Sequence, residues 1–220
     1  MKKTISEGIR NIIFDLGGVL LDLDFAAPVA AFQKLGAVGE HFIYHLVISD
    51  PVFLHMEMGL ITPEEFREHI RIKLGNNDLP NAVIDSAWCS LLGSVPVEKV
   101  NLLENLSKSY RLFLYSNTNA IHIEYFKNRF LSEHHFGFES LFENTFYSHV
   151  IHDRKPQSSG FEKVIGMADI LPRETLFVDD FIQNIEAASK FGLQVLHYLP
   201  GTDLEKALKT KMGELNRHEL

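Results

Sequence analysis

The feature that most restricts the fold of this chain is a set of short apolar runs, which alternate in the second half of the sequence with stretches of helical periodicity. The runs contain many β-branched and aromatic residues, which is typical of buried strands. The predicted strands are Asn11–Phe14, Arg111–Tyr115, Thr145–Ser148, Thr175–Val178 and Gln194–Tyr198. The helices predicted beside them are Val97–Ser107, Ala120–Phe130, Phe161–Met167, Ile182–Phe191 and Asp203–Lys209. Because strands connected through helices run parallel with right-handed crossovers, we predict an α/β fold with a doubly wound, Rossmann-like parallel sheet.

The first gap between predicted strands, over residues 15–110, is far longer than one crossover helix requires. It contains no convincing strand but several helix signals. The clearest of them combines Thr62 as a capping residue, Pro63 in the first turn and Glu65 at the capping-box position. This helix is expected to end before Gly75, since glycine is the preferred residue just after a helix.

We therefore predict that a small helical domain is inserted into the sheet domain. The further helices expected in it are Ala31–Leu35, Glu40–Ile48 and Asn81–Leu92. The predicted cap domain is 25–93, and the predicted core domain is 1–24 together with 94–220. Such a cap commonly closes a site against water. Trp88 is expected either in the core of the insert or on its inner face.

Composition limits the functional classes that are open to this chain. The 21 lysines and arginines against 29 aspartates and glutamates give a net charge of −8, which argues against nucleic acids and anionic membranes as partners. No apolar run approaches the ~20 residues of a membrane span, and the N-terminal segment does not resemble a secretory signal. The lone cysteine, Cys89, cannot form an internal disulfide. We therefore expect a globular protein of the reducing cytoplasm.

Polar residues and glycines follow the predicted strands directly. They are Asp15, Gly17 and Gly18 after the first strand, Ser116 and Asn117 after the second, Lys155 just after the third, and Asp179 and Asp180 after the fourth. In an open parallel sheet, ligands bind beyond the carboxyl ends of the strands. Three acids, a hydroxyl and a lysine are therefore expected to share one crevice.

The charges in this crevice restrict its chemistry. Three carboxylates at one point repel one another and are costly to desolvate unless a cation neutralises them. Oxygen ligands without sulfur or imidazole suit a hard ion, which indicates Mg²⁺. Lys155, a hydroxyl and a glycine-rich turn with free amide donors suit an anion such as phosphate. Asp15 is the natural nucleophile toward phosphorus, because Gly17 and Gly18 allow backbone and substrate to approach it closely.

The segments that contain these residues resemble the four motifs of the haloacid dehalogenase superfamily. In the order typical of that family, they are Phe14–Val19, Tyr115–Asn119, Arg154–Pro156 and Val178–Asn184. Each motif is weak by itself, but four of them at successive strand ends are specific. The helical insert resembles the α-helical cap of the superfamily, and His55–Thr62 is similar to a cap segment of its epoxide-hydrolase-like and sugar-phosphatase branch.

The resemblance implies a catalytic role for several residues of the crevice. Asp15 would attack phosphorus and become an aspartyl-phosphate, while Lys155 would hold Asp15 and the phosphate together. Ser116, the Asn117 amide and Gly18 would bind the phosphoryl group.

The resemblance also implies a magnesium site. Its ligands would be Asp15, Asp180 and the carbonyl oxygen of Gly17. Asp179 would be either a further ligand or a residue that stands behind the ligands. Asn184 would brace the metal-binding acids.

One position departs from the pattern of the family. Most phosphatases of the superfamily carry a second aspartate two residues after the nucleophile, as an acid for the leaving oxygen and a base for water, but this chain has Gly17 there. General acid–base assistance is typically worth ~10²–10⁴-fold in rate. The residues considered as substitutes are Asp22, Asp24, His41, His45 and His55. Glu57 is expected to accept hydrogen bonds in the packing of the insert rather than to act as a catalyst.

Three functional hypotheses follow. The first is a Mg²⁺-dependent phosphatase of a small phosphorylated metabolite, and the resemblance favours a sugar phosphate. The second is a metal-independent haloacid dehalogenase, in which the same aspartate attacks carbon; the acids after the fourth strand argue for a metal instead. The third is a catalytically weak phosphate-binding or regulatory protein, which Gly17 supports. A receiver-like signalling domain is disfavoured by the long helical insert.

Overall fold

A computed structural model describes residues 8–37 and 49–217 of the chain. Within these residues one parallel sheet has the strand order β3-β2-β1-β4-β5. Its strands are β1 (Asn11–Phe14), β2 (Arg111–Ser116), β3 (Asn144–Tyr147), β4 (Thr175–Asp179) and β5 (Gln194–His197). Because β1 is central and the chain winds outward from it in both directions through helices, the predicted doubly wound, Rossmann-like α/β fold is confirmed.

Helices precede and connect the strands of this sheet. Between β1 and β2 lie α1 (Ala26–Lys34), α2 (Pro51–Glu57), α3 (Pro63–Leu74), α4 (Asn81–Cys89) and α5 (Val97–Leu106). After β2 come α6 (Ala120–His134), α7 (Ser148–Ile151), α8 (Ser158–Ala168), α9 (Ile182–Phe191) and α10 (Leu204–Arg217). Short 3₁₀ turns span Phe138–Leu141 and Pro172–Glu174. None of the described helices combines the length and the apolar character needed to cross a bilayer.

The three central strands, β1, β2 and β4, are buried on both faces, which explains why their sequences are almost continuously apolar. The outer strands β3 and β5 are only partly buried. Successive side chains of a strand point to opposite faces, so that Ile12 and Phe14 pack in one hydrophobic cluster while Ile13 packs in the other. The first cluster includes side chains of α5, α6 and α10, and the second includes side chains of α8 and α9.

Helices α1 to α4 form most of a third hydrophobic cluster. Its buried residues include Phe32, Met56, Phe66, Ile70, Ile84 and Trp88. Trp88 is only 3% exposed and contacts the rings of Phe32, Phe53 and Phe66, so it belongs to the core of the insert rather than to an open inner face. The cluster also contains Ile121 of α6, through which the insert packs on the core. A cluster formed mainly by its own helices is expected of an inserted domain, whose proposed boundaries remain 25–93.

The structure differs from the sequence predictions mainly at element ends. Helix α2 was not predicted, although it begins with the same kind of signal as α3: Asp50 accepts a hydrogen bond from the Val52 amide at 3.1 Å, and Pro51 opens the first turn. Helix α1 begins earlier than predicted, and Asp24 Oδ1 accepts hydrogen bonds from its first two amides, of Ala26 at 2.9 Å and Ala27 at 3.2 Å. The predicted helix Glu40–Ile48 lies outside the described residues.

Candidate active site

The carboxyl edge of the sheet brings together the ends of three adjacent strands. The register places Phe14 of β1 opposite Leu114 of β2 and Val178 of β4. The next residue, Asp15, donates its backbone N–H to the Val178 carbonyl at 2.9 Å, so it continues the ladder and lies beside Asp179. Parallel pairing therefore converts residues far apart in sequence into neighbours at one edge.

Lys155 is the cation at the centre of this edge. Its Nζ lies 2.9 Å from Asp15 Oδ1 and 2.7 Å from Asp179 Oδ2. The lysine is 1% exposed, and its Nζ also lies over the rings of Tyr115 and Phe177 at 5.4 and 5.6 Å. A buried charge of this kind is tolerated only when it is paired, and here two carboxylates pair with it.

Burial also perturbs the protonation of the acids. Burial raises the pKa of Asp15 to about 7; Lys155 lowers it, and the charge of Asp179 raises it further. The pKa of Asp180 is raised by burial and by Asp179. The single ammonium group of Lys155 thus does not neutralise the charge of these three carboxylates. An excess of buried negative charge of this kind is typical of a site that binds a divalent cation.

The donor set fits a hard cation. Carboxylate oxygens of Asp15, Asp179 and Asp180 all lie within 4.8 Å of one another. Asp179 is engaged already: Oδ1 accepts from the Phe181 amide at 2.8 Å and from Asn184 at 3.0 Å, and Oδ2 accepts from Asn184 at 3.1 Å besides its contact with Lys155. Both oxygens of Asp179 are hydrogen-bonded and none of its surface is exposed. Asp179 is therefore better suited to support the neighbouring ligand residues than to bind a metal ion itself.

The two glycines after β1, Gly17 and Gly18, have different surroundings, and a side chain would meet a different neighbour at each. Gly18 has φ +74°, and a Cβ there would lie 2.1 Å from Asp180 Oδ2, so only glycine lets the loop pass this carboxylate. At Gly17 a Cβ would lie 2.9 Å from Leu23 Cδ1. An apolar side chain therefore occupies the direction in which an acid at position 17 would point.

Two pairs of hydrogen bonds hold the loops around Lys155. The sequence predicted Asn117 and Lys155 of the first pair as site residues, but neither residue of the second. The Asn117 carboxamide donates to the Lys155 carbonyl at 2.9 Å and accepts from the Lys155 amide at 3.0 Å, so only its backbone amide is left for the predicted phosphate contact. Ser148 exchanges two 2.9 Å hydrogen bonds with the backbone of Thr118. Ser148 was predicted to end a strand, but it instead begins α7 and orients the loop next to the buried Ser116.

The insert reaches this edge through the end of α2. Glu57, the last residue of α2, is 7% exposed and lies 3.1 Å from the Arg154 guanidinium. Next to it, the carbonyl of Met58 is 2.9 Å from Nδ1 of His152. Gly59 has φ +64°, and a Cβ there would lie 2.2 Å from the His149 carbonyl, so a larger residue would push the insert away. Neither Glu57 nor Arg154 was among the predicted site residues.

The residues considered as substitutes for the missing acid have other surroundings. Asp22 is largely exposed and lies 3.3 Å from Lys99, and Asp24 caps α1. His55 is exposed on α2. His41 and His45 lie outside the described residues.

The fold and the charges of the edge are those of an α/β protein whose carboxylates suit a divalent cation and whose buried lysine suits an anion. A family model described as haloacid dehalogenase-like hydrolase matches residues 9–192, and the chain belongs to this family of hydrolases. The predicted resemblance is therefore confirmed.

Individual relatives agree with this assignment. D-ribitol-5-phosphate phosphatase from Bacteroides thetaiotaomicron is 28% identical over 200 residues, 91% of this chain and 97% of that protein. A crystal structure of a HAD family enzyme from the same species, in complex with magnesium and inorganic phosphate, has 36% identity and a TM-score of 0.83 over 89% of this chain and 97% of that chain. L-2-haloacid dehalogenase from Xanthobacter autotrophicus is similar in fold alone, with 17% identity and a TM-score of 0.57 over 85% of this chain and 76% of that chain.

Proposed function

We propose that this protein hydrolyses the phosphoric monoester of a small polyhydroxylated metabolite, such as a sugar or polyol phosphate, through a phosphorylated Asp15. The observation that carries the proposal is the buried Lys155, whose ammonium joins Asp15 to Asp179 beside the carboxylate of Asp180. The arrangement offers a nucleophile and positive charge for a phosphoryl group at the same point.

The class of the reaction and its cofactor are the predicted ones: the chain is a Mg²⁺-dependent phosphatase, a phosphoric monoester hydrolase. One curated relative is a phosphatase of D-ribitol-5-phosphate, and a solved relative holds magnesium and inorganic phosphate. The polyol or sugar class of substrate is our proposal for this chain. It is supported by the name of that relative.

The residues that would hold the magnesium ion are Asp15, Asp180 and the carbonyl oxygen of Gly17, with Asp179 and Asn184 behind them. When bound, the ion would neutralise negative charge on the phosphoryl oxygens and on the carboxylates. Among the described residues, the contacts of the Asp15 carboxylate all use Oδ1, where Leu16 N donates at 2.7 Å and Lys155 at 2.9 Å. Its Oδ2 is therefore the oxygen that would attack.

The chemistry then follows from the positions of the protein groups. As an oxygen of Asp15 bonds to phosphorus, the bond from phosphorus to the ester oxygen breaks and the alcohol leaves. Water then attacks phosphorus, which releases inorganic phosphate and restores the Asp15 carboxylate. Lys155, the hydroxyl of Ser116 and the backbone amides of Asn117 and Gly18 would hold the phosphoryl oxygens in both steps.

The helical insert would act as a cap over this edge. Its contacts with the core through Glu57 and Met58 place the end of α2 against the segment that contains Lys155. A cap in this position excludes water from the first step and selects the leaving alcohol. The soluble, cytoplasmic location expected from the sequence stays a prediction.

Phosphate release from para-nitrophenyl phosphate and from D-ribitol-5-phosphate tests the proposal. We expect activity with Mg²⁺, loss of activity on chelation, and a decrease of at least about 10⁴-fold in kcat for Asp15→Asn. The control is Asp78→Asn, which changes an exposed loop aspartate of the insert and should leave the rate unchanged. Activity that survives in Asp15→Asn would contradict the mechanism.

The other two hypotheses predict different outcomes in the same assay. Halide release from a small haloacid without any metal requirement would establish the dehalogenase instead. Mg²⁺-dependent phosphate binding without turnover of either ester would establish the catalytically weak protein, for which Gly17 and the neighbouring Leu23 are the structural argument.

A further inference from the structure

The proposed reaction needs a proton for the leaving oxygen, and the loop after β1 has no group that supplies it. An alkoxide leaves slowly unless it is protonated as its bond to phosphorus breaks. Gly17 has no side chain, and Leu23 occupies the adjacent space. The acids of the edge itself have other tasks, as nucleophile, ligand and brace. The inference below therefore rests on the proposed function and concerns the origin of this proton.

Glu57 is a buried carboxyl group next to the catalytic edge. Its Oε2 lies 3.1 Å from Nη2 of Arg154, as an ion pair. Among the described residues, Glu57 Oε2 accepts no hydrogen bond and Arg154 Nε donates none. Arg154 immediately precedes Lys155, and Lys155 contacts the nucleophile Asp15. Buried polar atoms without partners are rare and costly, so a ligand that hydrogen-bonds to both would remove a penalty present in the free protein.

The surroundings of Glu57 favour a carboxyl group that exchanges a proton. Burial raises its pKa, and the positive charges of Arg154 and Lys155 oppose that rise without cancelling it. The other titratable groups on the facing segment are His149, whose pKa is lowered by burial, and His152, which contacts the Met58 carbonyl. Asp153 of the same segment is paired with Lys163 at 3.0 Å. No other carboxylate among the described residues is paired with Arg154.

We propose that Glu57 protonates the leaving oxygen and afterwards takes a proton from the attacking water. In the first step, the Asp15 oxygen bonds to phosphorus, the ester bond breaks, and the Glu57 proton passes to the departing oxygen to form the alcohol. In the second step, a water oxygen bonds to phosphorus, the bond to Asp15 breaks, and the water proton returns to Glu57. The ester and one water molecule become the alcohol and hydrogen phosphate, and both side chains are restored.

This assignment connects the chemistry to the position of the insert. Glu57 belongs to α2, whereas every other proposed reacting group belongs to the sheet domain. Proton transfer is therefore available only while α2 lies against the Arg154 segment. Separation of the insert would stop alcohol release as well as admit water.

The test is the dependence of rate on the leaving group in Glu57→Gln. A nitrophenolate leaves without help, whereas a polyol alkoxide needs the proton. We expect kcat/KM to fall about 10²–10⁴-fold on D-ribitol-5-phosphate and by less than about tenfold on para-nitrophenyl phosphate. In the wild type, kcat/KM on the polyol phosphate should decline at high pH as Glu57 loses its proton. That decline should be absent in Glu57→Gln.

Three controls separate this role from a structural one. Arg154→Gln removes the ion pair but not the proton donor, and should lower both rates by a similar factor. Glu57→Asp should recover part of the polyol phosphatase activity. Glu68→Gln changes an exposed insert glutamate that pairs with Arg71, and should change neither rate.

Equal losses on the two substrates in a folded Glu57→Gln protein would overturn the proposal and assign Glu57 to packing or binding. A wild type that is inactive on both substrates, or an active Asp15→Asn variant, would instead overturn the proposed function. The two failures are thus distinguishable.

Discussion

The carboxyl edge of the sheet and the helical insert are built in different ways, although both face the candidate site. At the edge, the Asp179 carboxylate accepts hydrogen bonds from Lys155, Phe181 and Asn184. The Asp15 carboxylate is held by the Leu16 amide and Lys155. The insert approaches the same edge through the end of α2, with the ion pair of Glu57 and one contact of the Met58 carbonyl. A densely connected edge stays organised without substrate, whereas a contact of this kind is separable at small cost.

The insert is not held by α2 alone. Trp88 of α4 stacks on His122 of α6 at a ring distance of 5.1 Å, and His122 Nε2 lies 3.2 Å from the Trp88 carbonyl. Burial lowers the pKa of His122 to about 4, so this histidine is neutral near neutral pH and packs as an aromatic ring. We infer that α4 anchors the insert to the core while α2 is the side that opens.

The largest expected effect tests whether the insert is a separate folding unit. Phe66 is fully buried in its cluster, with its ring 4.9 Å from that of Trp88. Phe66→Ala should cost about 3–5 kcal/mol of stability through the cavity it creates. Hydrogen exchange should accelerate in α3 and α4 while the amides of β1 and β4 keep their protection.

The matched control is Phe25→Ala, at a position that is 72% exposed, where we expect a change within about 0.5 kcal/mol. Equal loss of protection in the strands and in the insert would show that the two regions unfold together, and the proposed domain boundary would be wrong.

The second effect concerns the edge and compares two glycines that share a left-handed backbone. Gly18→Ala and Gly75→Ala should each lose about 1 kcal/mol from backbone strain, since φ is +74° and +64°. Only at Gly18 does the new Cβ collide with Asp180, whereas nothing lies within 4 Å at Gly75. We expect kcat/KM to fall about 10²-fold for Gly18→Ala alone, with a higher Mg²⁺ requirement. Similar activities of the two variants would mean that the edge tolerates displacement of Asp180.

The smallest effect is a change of local stability in the insert. Thr62 and Glu65 form a reciprocal capping box, in which Thr62 Oγ1 accepts from the Glu65 amide at 3.2 Å and Glu65 accepts from the Thr62 amide at 2.7 Å. Thr62→Ala should cost about 1 kcal/mol, measured as a lower unfolding temperature of the insert. Thr62→Ser keeps the cap and should be close to the wild type; a loss as large as that of alanine would assign the effect to the methyl group.

Much of the edge was predictable because it depends on local sequence and strand direction. Apolar runs followed at once by Asp15, by Ser116 and by Asp179 place these residues at one edge in any doubly wound parallel sheet. The start of α3 was predictable for a similar reason, since Thr62, Pro63 and Glu65 act within one turn. Helix α2 could have been found from Asp50 and Pro51 by the same rule.

The remaining features depend on contacts between distant segments. The bracing of Asp179 depends on three donors from separate places, which are Lys155, the Phe181 amide and Asn184 of α9. The space beside Gly17 is filled by Leu23 of a later turn. The proximity of Glu57 to Arg154 requires the insert to pack on the segment after α7. No pattern along the chain encodes these distances.

The amino-acid sequence by itself determined the parallel sheet and the acidic and basic residues of its carboxyl edge, and it predicted that this edge suits a divalent cation with phosphate. Periodicity and residue type are local properties, and strand direction alone brings the strand ends together. Only the tertiary structure decided which carboxylate is braced, what occupies the space of the absent acid and which side chain of the insert approaches the site. Those outcomes depend on how helices pack, and packing is set by the shapes of many side chains at once.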